Sequence, residues 1–349
     1  MIFNIPPLNE NARRAAHEKW AACAHPLGGL GTLETVIEDI AARTGSADIS
    51  LKPRCALILC ADNGVTSQGV TQTDSSVTAV VAQNLAAGRT SVCRMAAIAG
   101  CEVIPVDMGI KDFVPVKGVL DRRVANGTND ITIGAAMTRQ QAEQAILTGI
   151  ELVREQKERG IRLIAAGEMG IGNTTTASAV SSVLLGLPCK TVTGRGAGLS
   201  DEGLRRKIAA INKALKINCP DKNDPVDVLA KVGGFDIAGL CGVFLGGAIH
   251  KIPIIMDGAI SAAAALCAVR LSPDAGHSII ASHLSKEPCG QLLLEALGKN
   301  PLITAEMHLG EGTGAVAAMP LLDMALAVYS ESYTFFSSGI TPYKPFDDQ

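Results

Sequence analysis

Two glutamates sit between glycines in this chain, and they are the residues best placed by type and spacing to do chemistry. Glu311 lies in His308-Leu309-Gly310-Glu311-Gly312-Thr313-Gly314, and Glu168 in Gly167-Glu168-Met169-Gly170-Ile171-Gly172-Asn173-Thr174-Thr175. Glycine allows close approach of backbone to a ligand and conformations closed to other residues. A carboxylate held this way points into a site with little steric cover. Either segment alone reads equally well as a tight turn carrying a solvated acid. The pair suggests a site that handles a proton and a charged ligand.

The segment Gly170–Thr176 leads into an apolar helix. Glycines and hydroxyls at a helix start leave backbone N–H groups free, and with the helix dipole they suit a phosphate. The same residues also read as an ordinary Asn or Thr N-cap. Candidate nucleotide-binding residues are therefore Gly170, Gly172, Asn173, Thr174 and Thr175. Gly194-Arg195-Gly196-Ala197-Gly198 is a second Gly-rich turn before a helix, and Lys207 follows within that helix. Gly194, Gly196, Lys207 and Ser285 join the nucleotide candidates, although a surface lysine is the default reading of Lys207.

The elements that must position these groups alternate. Candidate strands are Ala56–Cys60, Val103–Val106, Leu163–Ala166, Thr191–Thr193, Ile252–Met256 and Ile279–Ala281. They are β-branched or continuously apolar, as in a parallel sheet buried on both faces. Candidate helices are Ser76–Ala87, Thr138–Arg159, Thr175–Leu185, Ser200–Leu215 and Gly258–Val269. Repeated strand–helix–strand units predict an α/β, doubly wound, mostly parallel sheet. Glu10–Ala24, Gly31–Ala42 and Ala315–Ser330 read as helices. They predict a small helical subdomain built from both termini, residues 1–45 and 320–349, beside a catalytic domain of residues 46–319.

Five candidate strands end in polar residues: Asp62-Asn63-Gly64, Asp107-Met108-Gly109, Gly167-Glu168, Asp257-Gly258 and Ser282-His283. Open parallel sheets bind ligands beyond the carboxyl ends of their strands. One polar end alone suggests a helix cap; five on one edge suggest a site lined from several strands.

The composition excludes other classes. The 349 residues carry a net charge of −3 and 3% aromatics, which gives no electrostatic or stacking case for nucleic acid. The start Met1–Pro7 lacks a basic, apolar leader, and Ile237–Ile249 and Ala259–Val269 are too short for a bilayer span, so no membrane partner is expected. Ten scattered cysteines without a C-x-x-C pair read as reduced core thiols of a cytoplasmic protein, and six histidines show no zinc spacing, so no metal is expected. There is no G-x-x-x-x-G-K-[ST] motif. Neither Gly-rich turn has the acidic residue of a dinucleotide site some 20 positions on. That weakens the alternative of a nucleotide-binding oxidoreductase.

The Gly167–Thr175 and Gly194–Gly198 segments, Lys231-Val232-Gly233-Gly234-Phe235-Asp236, Ser282-His283 and Leu309–Gly312 occur in that order. Together they resemble the nicotinate-nucleotide:dimethylbenzimidazole phosphoribosyltransferases of cobalamin biosynthesis, from about Arg54 to Met319. The resemblance implies a homodimer with a Rossmann-like large domain and a small helical domain, and no cofactor. It implies the conversion of nicotinate mononucleotide and 5,6-dimethylbenzimidazole to α-ribazole 5′-phosphate and nicotinate. Glu311 matches the family's general base, while Glu168 and Lys207 match active-site residues. Ser75–Gln83 matches a segment lining the aromatic-base pocket, so Ser75, Val77, Val81, Gln83, Met169 and Leu309 are pocket candidates. Some members have glutamine at the position of Val81 and leucine at that of Met169. The base is therefore open: adenine, another benzimidazole or a phenol are alternatives. A non-catalytic partner subunit with this fold is a further alternative, against which the intact Glu311 motif argues.

Overall fold

The computed structural model describes residues 1–343. Six strands form one parallel sheet: β1 Arg54–Ala61, β2 Glu102–Gly109, β3 Leu120–Asp121, β4 Leu163–Met169, β5 Ile254–Met256 and β6 Ile279–Ala281. Their order is β3-β2-β1-β4-β5-β6. The order reverses between β1 and β4, the switch of a doubly wound Rossmann-like sheet. The register pairs Leu59 with Glu168 and Cys60 with Met169, so the edge carrying Glu168 lies level with the end of β1.

Alternate residues of each strand feed two cores. Leu57, Leu59, Ile164, Ile254 and Met256 pack with the helices on one face. Ala56, Ile58, Leu163, Ala165 and Ile255 pack on the other with Trp20, Ile37, Ile40 and Leu322. The second core thus joins both ends of the chain to the sheet. Trp20 and Tyr329 meet edge to face with ring centres 5.0 Å apart, and Cys23 bridges Thr334. The first core uses small residues as the composition suggests. A Cβ on Gly242 would overlap the Ile146 carbonyl oxygen, so the helices Arg139–Glu158 and Phe235–His250 touch backbone to backbone.

Several expected elements shift. Thr191–Thr193 is not a strand; Cys189–Val192 forms a single helical turn after Pro188, because the β-branched residues there pack against helices and have no strand neighbour. The apolar stretch Ile237–Ile249 lies inside the helix Phe235–His250, buried almost throughout. Helices Ser91–Ala99, Pro225–Val232 and Cys289–Leu297 have no counterpart among the expected elements. Helix Thr313–Glu331 is long and apolar enough, by length and composition, to cross a membrane, and half of its apolar window is buried. Of the ten cysteines, all free, Cys219 is exposed and Cys101 half-buried; the rest are buried.

Candidate active site

A cavity of about 370 Å³ opens beyond the carboxyl ends of β4, β5 and β6. That volume suits a small-molecule ligand. Three of the five polar strand ends reach it: Glu168, Asp257 and His283. The other two acids are used up in loop structure. Asp62 accepts from the Thr78 hydroxyl at 2.7 Å and the Lys111 amide at 2.9 Å. Asp107 accepts from the Gly109 and Ile110 amides and from Arg123.

Glu311 lines the cavity. It has φ 59°, between Gly310 at 85° and Gly312 at 78°. Three successive left-handed residues form the turn, and a non-glycine residue there costs roughly 1–2 kcal/mol. The turn lies directly on β4: a Cβ on Gly167 would stand 2.7 Å from Gly312 Cα, and one on Gly310 would stand 3.0 Å from Glu168 Oε1. Glycine at these two contacts lets the turn that carries Glu311 pack directly on β4 next to Glu168. Glu311 Oε2 is buried. Burial raises its carboxyl above the ordinary value, opposed by hydrogen bonding from the Val92 amide and the Thr90 hydroxyl, with a smaller upward push from the charge of Asp257.

Glu168 is 6% exposed. The Asn173 side-chain amide donates to it and, at 3.0 Å, to Asp236. Burial and then the Asp236 charge push Glu168 up to about 8, and burial pushes Asp236 up to about 6. Glu168 therefore keeps its proton to higher pH than a carboxyl in water.

The opposite wall carries the anion-binding features. Gly170, Gly172, Asn173 and Thr174 line the cavity where helix Asn173–Leu185 begins. Among the described hydrogen bonds, the Gly172 and Thr174 amides have no acceptor in the chain. Thr175 is fully buried behind them. Lys207 is no surface residue. It is fully buried, and its Nζ donates to Thr174 Oγ1 at 2.8 Å and to the Gly194 carbonyl at 3.3 Å. Burial lowers its pKa to about 8, with Glu287 opposing. Gly196 and Ser285 line the cavity, while Gly194 stands behind it beside Glu287. The Gly196 amide donates to Glu287 at 3.0 Å.

Met169 and Leu309 also line the cavity, but Ser75, Val77, Val81 and Gln83 do not. Their helix, Ser76–Ala86, is tied by Thr78 to Asp62 and to the Ile171 amide, and the wall on that side is built from Val70–Thr73 instead. Val81 is half-buried and packs against the second core.

Asp257, Asp236, His283 and Glu287 are site residues whose roles the motifs did not assign. Asp257 and His283 carried the signal of a polar residue after a strand, whereas Glu287 carried none. No group of three or more His, Cys, Asp or Glu suited to a metal occurs among the described residues.

Residues 5–340 match a family model described as phosphoribosyltransferase. The nicotinate-nucleotide–dimethylbenzimidazole phosphoribosyltransferase of Ruminiclostridium cellulolyticum is 44% identical over 346 residues, 99% of this chain and 98% of the relative. The protein of that name from Clostridium acetobutylicum is 45% identical over 345 residues, covering 99% and 98%. The crystal structure of CobT from Thermus thermophilus superposes with a TM-score of 0.90 at 38% identity, covering 95% of this chain and 99% of that one. This chain belongs to the nicotinate-nucleotide–dimethylbenzimidazole phosphoribosyltransferase family of pentosyltransferases.

Proposed function

We propose that this chain transfers the 5-phosphoribosyl group of nicotinate mononucleotide to a ring nitrogen of 5,6-dimethylbenzimidazole, giving α-ribazole 5′-phosphate and nicotinate for cobalamin assembly. The C1′–N bond to the pyridinium breaks and its electron pair stays on the ring nitrogen. Nicotinate therefore leaves without needing a proton. The unprotonated nitrogen of the benzimidazole attacks C1′ from the opposite face, which inverts β to α. The proton on its other nitrogen passes to Glu311. General-base assistance of this kind contributes about 10²–10⁴ in rate.

The observation that carries this reading is Glu311. On its glycine-framed, left-handed turn it lines the same cavity as an open helix start backed by a buried lysine. In this assignment the phosphate rests on the free amides of Gly172 and Thr174, with Gly196 and Ser285 beside it and Lys207 behind. The ribose and pyridinium then lie toward Glu168. A bound pyridinium draws Glu168 toward its ionised form, which stabilises the oxocarbenium character growing at C1′. Met169 and Leu309 provide the apolar contact for the aromatic base. That wall has no feature that singles out one base, so transfer to other benzimidazoles is the second reading. The exposed aromatic residues Phe336, Tyr333 and Tyr343 near the C-terminus support a homodimer, and the free thiols support a cytoplasmic setting.

The test is purified protein with nicotinate mononucleotide and a panel of benzimidazoles, adenine and phenols, followed by mass spectrometry. Equal amounts of nicotinate and α-riboside phosphate are expected, with 5,6-dimethylbenzimidazole among the better bases. Nicotinate released without a new riboside, or no turnover with any base, would overturn the reading.

A further inference from the structure

Helix Thr313–Glu331 begins without a side-chain cap of its own, because its N-cap is Gly312. The first N–H groups of a helix need acceptors from elsewhere. Asp257 supplies them from a distant part of the chain. Its Oδ2 accepts from the Gly312 amide at 3.1 Å, and its Oδ1 accepts from the Gly314 amide at 2.7 Å and the Ala315 amide at 3.1 Å. Gly312 is the residue immediately after Glu311, in the turn of three left-handed residues.

Asp257 is itself held firmly. It follows β5 directly, it is 3% exposed, and its own amide donates to Ser261 Oγ at 3.3 Å. Ser261 in turn donates to the Ala166 carbonyl of β4 at 3.2 Å. His283 Nδ1 lies 3.9 Å from Asp257 Oδ1. The sheet, through β4 and β5, is thereby coupled to the turn by one carboxylate. Gly314 leaves room for this: a Cβ there would overlap His283 Nδ1.

We propose that Asp257 is the positioning residue for Glu311: its carboxylate holds the strained turn in the one backbone arrangement that aims the Glu311 side chain into the cavity. The proposal rests on the reading of Glu311 as the base. A helix start alone would favour any nearby acid. Two details go further. The three bonds divide over both carboxylate oxygens, and the single bond from Oδ2 goes to the turn, outside the helix proper. An amide side chain cannot reproduce this. If Asn keeps its oxygen on Gly314 and Ala315, its NH₂ faces the Gly312 N–H, donor against donor.

The experiment measures kcat and KM for Asp257→Asn and Asp257→Ser, each in the wild-type and the Glu311→Gln background. Asp257→Ser leaves room for water at the amides and keeps the test open if the Asn variant misfolds. In the wild-type background kcat should fall about 100-fold, the scale of a displacement of about 1 Å at a reacting group. KM for nicotinate mononucleotide should change little. In the Glu311→Gln background the same change should lower the residual kcat by no more than about twofold, because the group being positioned is gone. Equal losses in both backgrounds would overturn the proposal. So would a raised KM at unchanged kcat, which would make Asp257 a nucleotide-binding residue. If Glu311→Gln alone keeps the wild-type kcat, the base assignment fails first, and that result is seen without reference to Asp257.

Discussion

Replacing Lys207 with methionine should weaken the binding of nicotinate mononucleotide about 100-fold while leaving the fold close to its present stability. Lys207 stands behind Thr174 and Gly196; a Cβ on Gly196 would lie 3.4 Å from its Nζ. A phosphate resting on those residues at about 6 Å gains on the order of 3 kcal/mol per unit charge at an effective dielectric of about 20. That energy is worth roughly 100-fold in Kd. Stability responds to two opposing effects. Burial lowers the lysine from 10.5 to about 8, so the charged form is disfavoured in the folded protein by about 3 kcal/mol. This penalty is complete below pH 8 and fades as pH rises toward 10.5, because folded and unfolded states then carry the same neutral amine. Methionine removes it. Methionine also leaves the Gly194 carbonyl without its donor, at a cost of about 1–3 kcal/mol. At pH 7 the two nearly cancel. Calorimetry with the nucleotide and with its dephosphorylated riboside, together with urea unfolding, measures all of this. The nucleotide should lose affinity and the riboside should not. Wild-type nucleotide affinity should also decline above pH 8 as the free lysine loses its proton. An equal loss for nucleotide and riboside, or no loss for either, would refute the placement of the phosphate.

Other consequences concern the acids and the base pocket. Glu168 lies near 8 in the folded protein against an ordinary 4.5, so it stabilises the fold most below about 4.5, and that contribution is lost as pH rises through 8. Glu168→Gln, which mimics the protonated acid, should flatten this slope in urea unfolding from pH 5 to 9; an unchanged slope would mean Glu168 titrates normally. Met169 lines the cavity and Val81 does not. Met169→Ala should therefore reorder the preferred bases in direct competition, by a factor of roughly 10 or more per lost contact, and Val81→Gln should change the order less. The reverse ranking of the two variants would show that the helix Ser76–Ala86 sets specificity.

The alternation of buried strands with helices was legible because a parallel sheet covered on both faces leaves continuous apolar runs such as Cys55–Cys60. The same rule misled at Thr191–Thr193, where β-branched residues follow Pro188 and pack against helices. Phe235–His250 escaped because a helix buried on every side has no polar stripe to mark its period. At the site, the Gly-framed glutamates and the helix start at Asn173 were readable as local motifs. What could not be read was anything set by contact across strands. The Asp62 and Asp107 side chains look from sequence like Asp257, and only their partners separate loop ties from a cavity wall. Lys207 looked like a surface residue on its helix until the Gly194 turn closed over it.

The most direct test of the account is the kcat of Glu311→Gln with nicotinate mononucleotide and 5,6-dimethylbenzimidazole at saturating concentrations, compared with wild type across pH. The variant keeps the size and shape of the side chain and loses its basicity. Expected are a fall in kcat of about 10²–10⁴, little change in nucleotide KM, and a wild-type acid limb above the ordinary carboxylate value, since burial raises Glu311. Near-wild-type kcat in the variant would contradict the assignment of Glu311 as the group that takes the proton.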